Sequence, residues 1–378
     1  MDINTIIPAM MIDAGGESIH VGVLTAILIG GGRLSQLVFA PLINNRSHKK
    51  TFLLSGINLR FITLGLVAFL FLFSPDLSTN VILISIFILI TIFAFGGGFA
   101  TISYTDILGK SILQNRRKKF FSLKQVISSL GLLISAFAVR RILRNSIYPD
   151  NYSILFFIAT GLLALASLGF WKIKEVQTEQ IQIAGLKDYY NKIKSEFKSN
   201  QRLAHYLFVI NTQGIVLTLM PFLILYGKKQ LGAGGAEIGN YLFLKVVGGV
   251  ITGSIMYYFA REARYHYILY LTSAITILIL GSILGLPGSL LFPFIFLIAG
   301  FINAFHKISI QGILLEVTND KNRAIYTGLA GAGKILPAVF SLVGGWIVEQ
   351  YGFKLFFLIF LGIMALSFYF IYRLNCQK

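Results

Sequence analysis

The sequence predicts an all-α, polytopic membrane protein, and three observations carry that prediction. The 378 residues are 56% hydrophobic and only 13% charged, with mean hydropathy +0.75, which leaves too little polar surface to cover a water-soluble globule. Apolar runs of about 20 residues, the length that crosses about 30 Å of hydrocarbon as a helix, recur along the whole chain. Lys and Arg concentrate in alternate connecting loops.

In chain order the runs fall at 21-42, 51-73, 80-104, 120-141 and 152-172, then at 204-226, 237-259, 265-285, 289-311, 326-348 and 353-373. Gly, Pro, Asn or charged residues punctuate each boundary. The polar stretch between the two groups, with Lys187, Asp188, Lys192, Lys194, Glu196 and Lys198, reads as a linker outside the bilayer. The expected organisation is therefore residues 1-172, a linker at 173-203, and residues 204-378.

Five spans stand against six, and an internal repeat explains the difference. Pro8 followed by Gly22, Gly31 and Gly32 corresponds to Pro221 followed by Gly239, Gly248 and Gly249, with identical spacing among the glycines. Arg117, Phe120 and Leu123 likewise match Arg323, Tyr326 and Leu329. Two pseudo-symmetric six-helix halves follow, with eleven full spans and helix 1 incomplete. The segment before Ile12 is too short to span; a truncated first helix and a re-entrant or interfacial N-terminus both fit it.

Orientation follows from the loops. Those at 43-50, 105-119, 172-203, 260-264 and 312-325, with the tail after Tyr372, hold 21 Lys and Arg, and the opposite set holds 6. The richer set is cytoplasmic by the positive-inside rule, so the linker and C-terminus are expected in the cytoplasm. Arg140, Arg141 and Arg144 depart from the rule. The net charge of +18 is explained by these loops, and nucleic acid is not expected as a partner.

Resemblance to a known family enters with the loop after the second helix. The major facilitator superfamily carries a Gly-x-x-x-Asp-Arg-x-Gly-Arg-Lys pattern there, which latches the cytoplasmic ends of neighbouring helices. This chain reads Ala40-Pro41-Leu42-Ile43-Asn44-Asn45-Arg46-Ser47-His48-Lys49-Lys50. Asn44 stands where the family has Asp, while Arg46, Lys49 and Lys50 keep the basic character. TDILGK at 105-110, RRKKFF at 116-121 and LVGGWIVEQYGF at 342-353 resemble a group of permeases in that superfamily. The resemblance implies a secondary transporter that moves a small solute by rocking two halves about a central site. It implies a monomer in the cell membrane with the lipid bilayer as its surroundings, and no cofactor.

Candidate site residues come from charges inside the spans, because a charge at the bilayer centre costs at least about 2.5–3.5 kcal/mol. Arg33, Lys245 and Lys334 lie deep, and no Asp or Glu lies deep in any complete span; the nearest are Asp106 and Glu316. A cationic cavity for an anionic solute is one reading. Water-filled vestibules and backbone carbonyls as partners for the cations are the other. Gln36 shares the face of Arg33, and Asn211, Thr212, Gln213, Asn303 and His306 interrupt other spans. Each serves either as solute ligand or as an interhelical hydrogen bond. His306 is the intraspan candidate for proton coupling. Arg60, Lys124 and Lys307 are expected to snorkel.

Catalysis finds no support. Gly328-Leu329-Ala330-Gly331-Ala332-Gly333-Lys334-Ile335 matches the GxxxxGK core of a phosphate loop, but Ile335 replaces its Ser or Thr and no strand precedes it. The single Cys376 gives neither an internal bridge nor a Cys-based metal site, and no metal is expected. A non-transporting receptor or scaffold of the same fold, and a polytopic lipid-modifying enzyme, are the alternative function classes.

Overall fold

The computed structural model describes residues 4–35, 39, 43, 48–111, 114–172, 191, 194–195, 201–259, 265–285, 291–317 and 335–375. Among them every regular element is a helix. Hydrocarbon dictates this, since a helix pairs its own N–H and C=O groups while an open sheet edge would leave them unsatisfied in lipid. The elements are α1 (Ile6–Asp13), α2 (Ser18–Ala26, continued by a π-helical turn at Ile27–Gly31), α3 (Lys50–Leu72), α4 (Thr79–Ser111), α5 (Gln114–Asn145) and α6 (Asp150–Trp171). They continue with α7 (Gln201–Gly214), α8 (Val216–Leu231), α9 (Gly235–Phe259), α10 (Tyr265–Gly285), α11 (Phe292–Val317) and α12 (Ile335–Asn375).

Nine segments among the described residues are long and apolar enough to cross a bilayer. The chain is an integral multi-pass membrane protein. The last segment, Ile335–Leu374, runs 40 residues, about 60 Å as a helix and so about two hydrocarbon thicknesses. Gly352 divides it at φ 80° and ψ 176°, backbone that an L side chain would strain. The break lies between the spans expected at 326-348 and 353-373, of which 326-334 fall outside the described residues. The 32-residue α5 is not among the nine; Arg116, Arg117, Lys118 and Lys119 open it and Arg140, Arg141 and Arg144 close it.

Contacts divide the chain into two compact units. One holds Ile27–Ser135 and Asn145–Lys194; the other holds Asp2–Ala26, Ala136–Arg144 and Ser195–Lys378.

In the first unit α3 packs against α4 and α6. Leu53, Ile57, Ala100 and Ile107 form a core covered by Tyr104, Leu163 and Phe170. Phe71 gathers Tyr148, Tyr152 and Phe156 at ring separations of 5.9, 5.6 and 6.3 Å. Two polar ties accompany these rings: Ser153 Oγ donates to Ala68 O at 3.0 Å, and Ser167 Oγ to Asn58 Oδ1 at 3.1 Å. Leu162, Leu165 and Leu168 leave an apolar stripe of α6 exposed, the side for lipid.

In the second unit the segment Ala204–Leu231 is 78% buried, against 17% for Asp150–Trp171 in the first. Its Phe222 meets Phe356, which packs with Phe340 and Phe360 in tilted and edge-on contacts. The crossing of α9 and α11 is closer still: a Cβ on Gly248 would strike the carbonyl oxygen of Leu297, and one on Gly300 would strike that of Lys245. Backbone therefore meets backbone, the approach that small residues permit in membranes.

That contact yields a test by thermal melting in detergent. Gly248→Ala is expected to lower stability by about 1–3 kcal/mol through overpacking, because the obstacle is a carbonyl that cannot swing aside. Gly281→Ala, where a Cβ meets nothing within 4 Å, is expected to leave stability unchanged or raise it by up to about 1 kcal/mol.

Candidate functional site

The expected cations fall into different surroundings. Arg33 is half-buried in the last turn of the described span Ser18–Ser35. Just before it the helix widens into the π turn at Ile27–Gly31, a local change that shifts the face on which later residues stand and that recurs at functional sites. Gly32 brings this turn against the carbonyl of Ala94 in α4, where a Cβ would sit 3.2 Å from that oxygen. Ser35 Oγ donates to Gly32 O at 3.0 Å and fills the space left by Gly98. Gly31, Gly32 and Gly98 thus seat the end of α2 on α4 close to Arg33, whereas Gly96 and Gly97 face Gly56 and Arg60 of α3. Gln36, on the expected face of Arg33, lies outside the described residues, as does Lys334.

Lys245 is 7% exposed on α9, with its backbone carbonyl against Gly300 of α11. One turn further along α11, Asn303 is half-buried and donates Nδ2–H to Ala299 O at 3.0 Å. That in-helix bond leaves the amide oxygen available. His306 follows at 2% exposure. Its turn is tied to α7, since Tyr206 donates its hydroxyl to Ile310 O at 3.2 Å. Ser309, buried three residues on, has no hydrogen-bond partner for Oγ among the described residues.

The polar run at 211-213 of α7 is engaged in helix packing. Gln213, fully buried, directs its Nε2 hydrogens to Ser273 Oγ at 2.5 Å and Ser367 Oγ at 3.0 Å, joining α7 to α10 and α12. Its Oε1 has no partner among the described residues. Asn211 accepts the N–H of Leu336 at 3.3 Å, and Thr212 donates back to Phe208 O at 2.8 Å. Of the two roles open to Asn211 and Gln213, these contacts are the interhelical one.

Arg60 corrects the snorkelling expectation. It stands near the midpoint of α3 with its guanidinium carbon 4.2 Å from the centroid of Phe93 and its stem against Gly96. Its Nε is buried without a hydrogen-bond partner among the described residues. A ring face supplies the compensation that headgroups would have given. Lys307, by contrast, is exposed. The side chain of Lys124 is outside the description.

At the loop before α3, Asn44 and Arg46 lie outside the described residues. Lys49 is 3% exposed, and Lys50 donates to the carbonyl of Trp171 at 2.7 Å. Trp171 ends α6, so Lys50 places a cation on an orphan carbonyl at the negative end of that helix. Arg140, one of the departures from the charge rule, packs on Gly239 with its guanidinium 5.5 Å from the Phe243 ring. No signal in the sequence singled out Phe93 or Phe243.

The cavity found in the second unit is elsewhere. It measures about 490 Å³ and is lined by Glu17, Ser18, Tyr226, Lys229, Glu349 and Lys354 among others. All of these stand at helix ends next to loops of the Lys- and Arg-poor set, away from Lys245 and Asn303 along their helices.

Comparison with known proteins gives a consistent picture. A model of the Major Facilitator Superfamily matches residues 2–334. A D-xylose-proton symporter superposes with TM-score 0.76 at 15% identity over 98% of this chain and 94% of that one. An inward-open conformation of the xylose transporter XylE from E. coli superposes with TM-score 0.71 at 15% identity, over 98% and 91%. The nucleoside transporter NupG gives 0.68 at 14% identity, over 100% and 95%. No curated protein matches the sequence.

The Gln213 contacts can be weighed by a double-mutant cycle with Gln213→Leu and Ser367→Ala. A coupling energy of about 0.6–1.7 kcal/mol is expected in melting experiments; a value of zero would remove the interhelical role.

Proposed function

Since the chain belongs to the Major Facilitator Superfamily, we propose that it is a secondary transporter that carries a small anionic solute across the membrane by alternating access. The reading takes residues 1-172 and 204-378 as the two rocking halves and 173-203 as the linker between them, with the linker and C-terminus in the cytoplasm.

One observation carries the choice of an anion. In the described spans the deep Lys, Arg, Asp and Glu residues are the cations Arg33, Arg60 and Lys245, and the carboxylates Asp150, Glu237 and Glu349 stand at helix ends. Arg60 is accommodated by Phe93, and this reading assigns Arg33 and Lys245 to the solute for their depth and charge. A guanidinium grips a carboxylate or phosphate bidentately, whereas an ammonium acts as a point charge. Arg33 is thus assigned the primary contact and Lys245 the second. Asn303 offers a free amide oxygen to a solute hydroxyl or N–H. Gln36, Gln213 and Lys334 complete the proposed lining, with the amide nitrogen of Gln213 held by Ser273 and Ser367.

His306 is proposed as the proton-coupling group, buried beside Ser309 on the same helix as Asn303. Lys49 and Lys50, with Asn44 and Arg46, make the cytoplasmic latch in this reading, and the Lys50–Trp171 bond is its described part. The xylose and nucleoside transporters share the fold, and at 14–15% identity they do not select the solute.

Two measurements test the reading. In a thermal-shift panel of carboxylates and phosphates, a stabilising anion is expected, and Arg33→Gln should weaken its binding about tenfold or more, the loss of a charge-assisted contact worth about 1.5–3 kcal/mol. Stabilisation by neutral solutes alone, or unchanged anion binding in Arg33→Gln, would overturn the anionic assignment. For orientation, a membrane-impermeant maleimide should label Cys376 in intact cells only after permeabilisation. Labelling before it would reverse the topology.

A further inference from the structure

The 490 Å³ cavity of the second unit is not used by the proposed solute site, and a single break in the backbone shapes it. Along α12, Val348 and Glu349 precede Gly352, and Phe353 and Lys354 follow it. At Gly352 the chain turns through φ 80°, and a Cβ there would meet nothing within 4 Å. Both stretches consequently line the same space. Tyr226 and Lys229 of α8 face it, as do Glu17 and Ser18 at the start of α2. Its volume falls within the range of about 300–1,000 Å³ that small-molecule sites occupy.

The lining carries two cations, Lys229 and Lys354, and two carboxylates, Glu17 and Glu349. One residue before Lys229, Lys228 pairs directly with Asp13 at the end of α1. The four charges around the cavity form no such pair among the described residues. Two of them are partly engaged: Glu349 Oε2 accepts the N–H of Ile19 at 2.9 Å, and Lys229 Nζ donates to Ser18 Oγ at 3.2 Å. Each keeps capacity, since a carboxylate has a second oxygen and an ammonium three hydrogens. Glu17 and Lys354 are exposed, and their side chains make no hydrogen bond among the described residues. Opposite charges that ring a space without meeting across it leave a place for a molecule that carries both signs. The apolar part of the lining is fixed: Tyr226 meets Phe353 edge-on at 5.1 Å and Phe357 at 5.8 Å, and Val348 is buried.

We propose that this cavity is a second ligand site, built for a zwitterion with an apolar or aromatic body, the chemistry of a free α-amino acid. Glu17 and Glu349 receive the ammonium, Lys354 and Lys229 receive the carboxylate, and Tyr226 with Phe353 carry the side chain. An aromatic floor also favours a cation placed over it. The charges of the lining cancel, so a ligand with one charge is attracted by one pair and repelled by the other. This sets the cavity apart from the cationic site assigned to Arg33 and Lys245. Occupation of the cavity is a binding event and does not depend on the transport reading.

The test is equilibrium binding of radiolabelled L-phenylalanine to the full chain purified in detergent, where saturable binding is expected. 3-Phenylpropionate, which lacks the ammonium, and phenethylamine, which lacks the carboxylate, should each compete at least about tenfold more weakly, the loss of one charge-assisted contact. Lys354→Gln and Glu17→Gln change exposed side chains that hold no helix contact, and each should weaken binding about tenfold. Arg33→Gln should leave it unchanged. No saturable binding, competition by either analogue as strong as by L-phenylalanine, or unchanged affinity in both Lys354→Gln and Glu17→Gln would each overturn the site. Loss of binding in Arg33→Gln would place the amino acid at the solute site and overturn it as well. A chain that binds L-phenylalanine in this way but shows no stabilisation by anions keeps the second site and loses the anionic solute.

Discussion

A cation within hydrocarbon has to find its compensation among its own neighbours, and this requirement organises much of what the described residues show. Most Lys and Arg avoid the problem by standing in loops. Others, within helices or at their ends, are met in several ways: a ring face for Arg60 and Arg140, a helix-terminal carbonyl for Lys50, a carboxylate for Lys228. These partners are not equivalent. A carboxylate partner makes a contact that a charge change can switch, whereas Phe93 provides a fixed, uncharged one. The placement of the Asp13–Lys228 pair at helix ends, and of the Arg60–Phe93 contact at mid-span, follows the desolvation cost: two charges are tolerated near water, and a cation alone is held better by a quadrupole where water is excluded.

Close backbone approach is the second constraint, and it acts on the same helices. Gly248 and Gly300 lock α9 to α11, while Gly22 and Gly345 bring α2 onto α12. The two contacts resemble each other locally but differ in what surrounds them. The first sits inside a group of helices that are adjacent along the C-terminal part of the chain, beside the large aromatic stack of Tyr241, Phe292 and Phe296. The second joins elements more than 300 residues apart in sequence, with polar ties at its rim. A contact made of glycine and rimmed by hydrogen bonds has little interdigitated side-chain volume to disengage, and it separates at lower cost than a jigsaw of large residues.

Fold and membrane character were legible because they depend on runs of residues. Apolar stretches of spanning length, alternating loop charge and the glycine repeat each need no knowledge of tertiary contacts. The break at Gly352 was visible for the same reason, as polar punctuation between two apolar runs. The site was less legible because partner choice is a matter of three-dimensional neighbours. Nothing in a chain with 33 phenylalanines distinguishes Phe93 or Phe243, and the pairing of Asp13 with Lys228 spans 215 positions. Gln213 was read from its polarity alone, and polarity inside a span is shared by solute ligands and by residues that bond Ser273 and Ser367. The π turn at Ile27–Gly31 had the weakest signal of all, since one extra residue in a turn leaves an Ile- and Gly-rich run looking like ordinary helix.

That π turn ties the two parts of the picture together. The first compact unit begins at Ile27 and the N-terminal part of the second ends at Ala26, so the change of unit coincides with the change of helical form within one continuous span. On one side of it α2 carries the contacts of Ser18, Ile19 and Gly22 with Lys229, Glu349 and Ser341; on the other it carries Arg33. A π turn contains one residue more than the hydrogen-bonding pattern of an α-helix needs, and converting it to α-helix rotates everything beyond it by about 100°. Arg33 directly follows the turn, and therefore its direction depends on the form that these five residues adopt.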